Sequence, residues 1–211
     1  MALIPLANKP ILYSYRRCPY AMRARMALAY AGISVEIREI SLKEKPPSMV
    51  AISPKATVPV MQYGNLVLEQ SLDIMRWALS QHDPDGWLTN ENDIDVNTLI
   101  DANDSSFKKI LDQYKYPSRF PEVNPVDVLT NALNQHLRPL NDQLKKTQFL
   151  LGAKLSMADI AIFPFIRQFH MVDDTLFSLH QLEALKKWLN DRINSDLFLS
   201  VMQKHSVWRD A

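Results

Sequence analysis

Ile11-Leu12-Tyr13-Ser14-Tyr15-Arg16-Arg17-Cys18-Pro19-Tyr20-Ala21-Met22-Arg23-Ala24-Arg25 is the stretch on which the fold turns. Its first five residues read as a strand. From Pro19 to Tyr30 runs a helix pattern of Ala, Met, Arg and Leu, and Gly32 stands where a left-handed C-cap belongs. Proline suits the first helical position, because its missing N–H would be unpaired there anyway. Cys18 therefore sits at the N-cap, between strand and helix.

Reading outward, Val35, Ile37 and Ile40 mark a second, amphipathic strand. Residues 43–54 are rich in lysine and proline and read as irregular, with one short helix. Residues 58–63 and 66–69 flank Gly64-Asn65, the signal of an antiparallel hairpin. A helix then starts near Ser71 and carries Ile74, Met75, Trp77 and Ala78. Strand, helix, strand, irregular segment, two strands and helix make a small α/β domain with a mixed four-stranded sheet over residues 1–81. Asp83-Pro84-Asp85-Gly86 is a turn cluster inside a linker at residues 82–90. Beyond it the apolar residues recur at helical spacing. Ile94, Leu99, Ile100, Phe107, Ile110, Leu111 and Tyr114 form one stripe; Val126, Leu129, Leu133, His136, Leu137, Leu140 and Leu144 form another; Leu182, Leu185, Trp188 and Leu189 mark a third. These read as core packing of an all-helical domain over residues 91–211.

Composition narrows the chemistry. The 211 residues hold 24 Lys and Arg against 23 Asp and Glu, a net charge of +1, so nothing electrostatic points to nucleic acid or an anionic membrane as partner. The four glycines (Gly32, Gly64, Gly86, Gly152) lie too far apart for a phosphate-cradling loop. The five histidines are scattered and Cys18 is the single cysteine, so no zinc signature, internal disulfide or metal site is expected. Met1 to Pro10 does not read as a secretory signal, and the apolar run 160–166 is too short to span a bilayer. A lone thiol without an export signal points to a reducing cytoplasm.

At the N-cap, the Cys18 sulfur would lie near unpaired backbone N–H groups and the positive end of the helix dipole. Arg16, Arg17, Arg23 and Arg25 add charge nearby, though some must point to solvent, and each of these features favours thiolate over thiol. Lowering a cysteine pKa from about 8.5 to about 7 raises the thiolate fraction some fifteenfold at neutral pH. Intrinsic nucleophilicity falls at the same time, which leaves about three- to fourfold in attack. The larger benefit is leaving-group ability from a mixed disulfide. The other reading is a small buried apolar residue, as many lone cysteines are. Ala21 occupies the place of a second cysteine in a dithiol motif, so any turnover needs an external thiol.

Two more landmarks follow. Thr57-Val58-Pro59-Val60 puts proline in a strand pattern, which requires an edge, a bulge or a bend. A cis Val58-Pro59 bond would turn the chain and free the Val58 backbone for a ligand; an ordinary edge proline is the alternative. Ser71 of Gln70-Ser71 reads as an N-cap, with either carboxylate binding or capping alone as its role.

In this order these segments resemble the glutathione transferase superfamily over nearly the whole chain. Cys18-Pro19-Tyr20-Ala21-Met22-Arg23-Ala24-Arg25 resembles the Cys-Pro-Phe-Ala-x-Arg-x-Arg segment of its omega class. Leu42-Lys43-Glu44-Lys45-Pro46 is similar to that class's Leu-Lys-x-Lys-Pro loop. Ser53-Pro54-Lys55-Ala56-Thr57-Val58-Pro59-Val60 resembles Asn-Pro-x-Gly-x-Val-Pro-Val, and Gln70-Ser71-Leu72-Asp73-Ile74 resembles Glu-Ser-x-x-Ile. Leu155-Ser156-Met157-Ala158-Asp159-Ile160 is similar to the superfamily's capping box and staple, with Ser156 and Asp159 closing the helix N-terminus and Leu155 and Ile160 as the staple pair.

The resemblance implies a thioredoxin-like N-terminal domain and a helical C-terminal domain, with glutathione as co-substrate between them. It makes Cys18 the nucleophile that forms a mixed disulfide with glutathione. Val58, beside Pro59, would pair its backbone with the cysteinyl part, Gln70 and Ser71 would hold the γ-glutamyl end, and Lys45 would meet the glycine carboxylate. Gln70 departs from the glutamate of the pattern, and Ser53 and Ala56 from its Asn and Gly. The implied activity is thiol transfer, including deglutathionylation and dehydroascorbate reduction. One alternative is conjugation of glutathione to small electrophiles, with Tyr13, Ser14 or Tyr20 holding the glutathione thiolate. Another is a regulatory protein without turnover. A second substrate would lie against the helical domain near Phe107, Tyr114 and Tyr116, positions that serve equally well as core residues, and superfamily habit implies a homodimer.

Overall fold

The computed structural model describes residues 8–88 and 94–210, with Ile94 as backbone only. The first seven residues, the end of the expected linker (89–90) and the expected start of the helical part at 91 lie outside the described residues. The chain divides into two units: the residues up to Leu88 together with those from Asp196, and those between, to Ser195.

In the first unit, strand β1 (Ile11–Ser14) leads through Cys18 into helix α1 (Pro19–Tyr30), and strand β2 (Glu36–Glu39) returns parallel to β1. A short helix α2 (Pro47–Ile52) precedes the antiparallel hairpin of strands β3 (Val60–Tyr63) and β4 (Leu66–Leu68), and helix α3 (Ser71–Gln81) follows. The sheet order is β2-β1-β3-β4, with β3 antiparallel to β1. This is the mixed four-stranded sheet the sequence predicts.

Helix α1 stops in a two-bond C-terminal motif: Gly32 N–H donates to Ala29 at 3.0 Å and Ile33 N–H to Leu28 at 2.9 Å. Gly32 carries φ +72°, the left-handed conformation this stop requires. A Cβ there clashes with the backbone, so Gly32→Ala is expected to cost about 1 kcal/mol in urea unfolding.

The residues from Asp196 fold with the sheet unit, although the sequence reading assigned 91–211 to the helices. Helix α11 (Asp196–Val201) packs on α1, and beyond it the chain runs extended, Val207 making a parallel bridge to Glu39. Two long-range partners hold this segment. Arg25 Nε donates to the Val201 carbonyl at 3.1 Å, and Trp208 N–H donates to the Glu39 carbonyl at 2.7 Å.

The second unit is helical. Helix α4 (Ile94–Ala102) continues through a π-helical turn (Asn103–Phe107) into α5 (Lys108–Lys115). Helix α6 (Pro125–Ala132) continues through a second π turn (Leu133–Leu137) into α7 (Arg138–Leu144). Helices α8 (Met157–His170), α9 (Leu176–Leu179) and α10 (Glu183–Ile193) complete it. Each π turn inserts a residue into the 3.6-residue period. Asn103, the first residue of the first π turn, is buried, while Val126, in the first turn of α6, stands 69% exposed instead of packing.

The capping box forms as read. The Asp159 carboxylate accepts from Ser156 N–H at 3.1 Å and from Ser156 Oγ at 2.7 Å. It also accepts from Leu150 N–H at 3.0 Å and Trp188 Nε1 at 2.9 Å, so one fully buried carboxylate joins the loop, α8 and α10.

Candidate active site

Adjacency of β1 and β3 assembles the site. Tyr13 lies opposite Val60, so the chain leaving β1 and the chain entering β3 meet at the same end of the sheet. Cys18 is the N-cap of α1 and Pro19 its first residue, as expected. Cys18 Sγ lies 3.7 Å from the Val58 carbonyl oxygen, to which it donates, and the Val58-Pro59 bond is cis. Arg23 Nε donates to Ser71 Oγ at 2.9 Å and thereby ties the first turns of α1 to the start of α3. Three landmarks far apart in sequence are thus brought together, while Lys45 stands exposed just ahead of α2.

Several expectations change at this point. Gln70, exposed, occupies the N-cap position of α3, and Ser71 is the first helical residue with its hydroxyl taken by Arg23. The arginines do not surround the sulfur freely. Arg17 binds the Tyr15 hydroxyl, while Arg25, only 4% exposed, binds Ser14 Oγ at 2.5 Å, the Arg16 carbonyl at 2.9 Å and Val201. Burial pulls the Arg25 pKa down to about 10, which leaves it charged at neutral pH.

The predicted thiolate is the main correction. Burial pushes the Cys18 thiol above its ordinary value; the Ala21 and Tyr20 N–H groups, Arg25 and Arg23 pull the other way and do not outweigh it. Cys18 is a half-buried thiol donating to Val58, and the Tyr20 and Ala21 N–H groups are placed to hold negative charge as it develops on sulfur.

Two of the three residues named for holding a glutathione thiolate are engaged elsewhere. The Tyr13 hydroxyl meets Ser48 Oγ at 2.9 Å and Arg38 Nη1 at 2.8 Å, and Ser14 is fully buried against Arg25. Tyr20 is half-buried, its ring 5.0 Å from the Arg23 guanidinium carbon. In the helical unit Phe107 is 1% exposed and lines a cavity with Leu99, Asn103, His136 and Ile166, and the half-buried Tyr114 stacks on Phe169 at 4.5 Å. The Tyr116 ring meets the cations of Lys115 and Arg119 at 5.0 and 4.4 Å.

Sequence reasoning missed the buried roles of Arg23 and Arg25. The signal was available in α1, which is apolar all round: such a helix is buried on every face, so its arginines must be internal too. Among the described residues no group of three His, Cys, Asp or Glu is placed to hold a metal, and no helix is long and apolar enough to cross a membrane.

A thioredoxin-like sheet with a cysteine at the N-cap position of its first helix and a cis-proline segment entering its third strand, followed in the chain by a helical unit, defines a two-domain fold class. Residues 12–86 match the model of the glutathione S-transferase N-terminal domain, and residues 121–191 that of the C-terminal domain. The chain belongs to the glutathione S-transferase family, enzymes whose co-substrate is glutathione. It is 28% identical over 169 residues to the chloroplastic glutathione S-transferase L2 of Arabidopsis thaliana, covering 76% of this chain and 54% of that one; it thus spans about half of that relative. It is 27% identical to the maleylacetoacetate isomerase of Mus musculus, covering 75% of this chain and 77% of that one. To the glutathione S-transferase omega-1 of Rattus norvegicus it is 25% identical, covering 77% and 68%. Among solved structures, a glutathione S-transferase from Rhodospirillum rubrum aligns with TM-score 0.75 at 19% identity, over 93% of each chain. A glutathione S-transferase-I bound with lactoylglutathione aligns with TM-score 0.72 at 20% identity, over 92% of this chain and 99% of that one.

Proposed function

We propose that the protein is an omega-like, glutathione-dependent thiol transferase with Cys18 as nucleophile. The observation that carries this reading is the single sulfur at the N-cap of α1, with the Tyr20 and Ala21 N–H groups on one side and the Val58 carbonyl on the other. In the first step the Cys18 thiolate attacks the glutathione sulfur of a mixed disulfide. A Cys18–glutathione disulfide forms and the substrate leaves as thiolate, which takes up a proton. In the second step a glutathione thiolate attacks that disulfide, releasing oxidised glutathione and regenerating Cys18. The Val58 carbonyl that accepts from the resting thiol is the natural acceptor for the cysteinyl N–H of glutathione, so binding exchanges one donor for another. Pro59 shapes this segment, Gln70 and Ser71 face the γ-glutamyl end, Tyr20 flanks the sulfur, and Lys45 supplies a cation for the glycine carboxylate.

Incubation with oxidised glutathione is expected to add one glutathione to the intact mass, on Cys18. No adduct, together with no retention on immobilised glutathione, overturns the reading in favour of a non-catalytic regulatory protein. The same reading includes a homodimer in the cytoplasm and a small electrophilic or disulfide second substrate; sedimentation of the purified chain checks the first.

The pH dependence follows from the direction of the Cys18 shift. A pKa raised by burial means little thiolate at neutral pH and a labelling rate that climbs with alkalinity. Alkylation by iodoacetamide is expected to reach half its maximum above about pH 8.5, the value for a free cysteine. A midpoint below that of free cysteine, measured on the same day with the same reagent, contradicts this.

A second reading, conjugation of glutathione to an electrophile, keeps Tyr20 as the residue that holds the glutathione thiolate, since it lies half-buried in the first turn of α1 beside Cys18 while Tyr13 and Ser14 are engaged elsewhere.

A further inference from the structure

The segment from Val207 to Asp210 does more than close the chain. Its backbone adds to the edge of β2 through the bridge of Val207 to Glu39 and the Trp208 N–H bond. The Trp208 ring meets the edge of Tyr13 at 5.9 Å and lies 4.2 Å from the Arg38 guanidinium carbon. It packs against the buried cluster of Tyr13, Ile40, Met49 and Val60, on which Val58 also rests. The Asp210 carboxylate then accepts the Ser48 N–H at 3.0 Å, and Ser48 Oγ meets the Tyr13 hydroxyl.

The ring thus packs on the same buried cluster as Val58, and the carboxylate holds Ser48 in the first turn of α2, just after the loop carrying Lys45. With six residues, α2 is too short to hold its own conformation. Its anchors are Met49 in the cluster, the Ser48–Tyr13 bond and Asp210. The exposed Arg209–Glu44 pair at 3.4 Å adds little.

We propose that residues 207–210 are a strap that holds the glutathione loop in its binding conformation, with Trp208 and Asp210 as positioning residues. The inference rests on Lys45 and Val58 meeting glutathione, as proposed above. Without the strap the loop is ordered only when ligand arrives, and that cost is taken from ligand affinity.

The test uses the full chain carrying Trp208→Ala or Asp210→Ala, and the conservative Asp210→Asn, which retains an acceptor for Ser48. The alanine variants are expected to raise the KM for glutathione about fivefold with kcat held within about twofold, and Asp210→Asn to restore most of the loss. Amide hydrogen exchange of residues 42–53, measured without glutathione, is expected to accelerate in the alanine variants while α1 and β3 keep their protection. Unchanged exchange in 42–53 overturns the strap, as does a fall in kcat at constant KM or a loss of protection through the whole sheet. If the unsubstituted protein takes no glutathione, the proposed function fails, and the exchange measurement still decides whether the strap holds the loop. Asp210→Ala keeps the test open should Trp208→Ala not fold.

Discussion

Cys18→Ala is expected to abolish thiol transfer. Activity should fall to the uncatalysed rate, a loss of at least about three orders of magnitude, because no other thiol in the chain is available to form the mixed disulfide. The substitution removes one sulfur from a half-buried site and with it a long S–H bond to the Val58 carbonyl, but the local backbone bonds remain: the Cys18 N–H still donates to the Tyr15 carbonyl, and the Met22 N–H to the Cys18 carbonyl. The fold should therefore survive, and retention on immobilised glutathione with it. That combination separates the two enzymatic readings. If conjugation of glutathione to a chromogenic electrophile persists or rises in Cys18→Ala while thiol transfer disappears, Cys18 is the transferring nucleophile. If thiol transfer from a glutathionylated peptide continues, the sulfur is not the reacting atom and the proposed chemistry is wrong.

Asp159→Ala is expected to have the largest effect on stability. Its carboxylate accepts four hydrogen bonds, from Leu150 N–H, Ser156 N–H, Ser156 Oγ and Trp188 Nε1. Asp159 itself is fully buried, and Leu150, Ser156 and Trp188 are at most 3% exposed. Alanine leaves those donors without partners and out of reach of water, at about 1–3 kcal/mol for each buried group left unsatisfied. Allowing for relaxation, a loss of about 3–5 kcal/mol in urea unfolding is expected, a large share of the stability of an ordinary domain. Asp159→Asn retains one carbonyl acceptor and should lose less. A change below about 1 kcal/mol in Asp159→Ala means that water replaces the carboxylate, and that the three-way junction does not hold the helical unit together.

The two sites differ in how much of each the chain displays locally. Capping boxes, the proline at the start of α1, the left-handed glycine at its end and the hairpin turn are set by residues within a few positions of one another. Their physics is steric and hydrogen-bonding geometry at short range, so Pro19, Gly32, Gly64 and Ser156 announce their roles in linear order. The partners of Asp159 beyond its own box, Leu150 and Trp188, are 9 and 29 positions away, and only packing makes them neighbours. The same holds for Arg25, whose contact with Val201 spans 176 positions. The stripes of α4 to α7 were legible as helices, but the two π turns, one beginning at the buried Asn103 and one at Leu133, leave no signature in spacing alone.

By itself the sequence determined that a lone cysteine stands at the N-cap position of a helix after a first strand, that a cis-capable Val58-Pro59 segment enters another, and that helices follow. Those are consequences of local backbone chemistry. What only the tertiary structure decided is the state of that thiol and the company it keeps. Every neighbour in the sequence favoured the ionised form; the surrounding fold desolvates the sulfur and turns it toward the Val58 carbonyl, and that outweighs the N–H groups and arginines. Desolvation is the sum of what three-dimensional packing removes from water, and it cannot be read from residues taken in order. The strap from Val207 to Asp210 has the same origin: its contacts with Glu39, Tyr13 and Ser48 exist because the chain returns to the first sheet after the whole helical unit has been laid down.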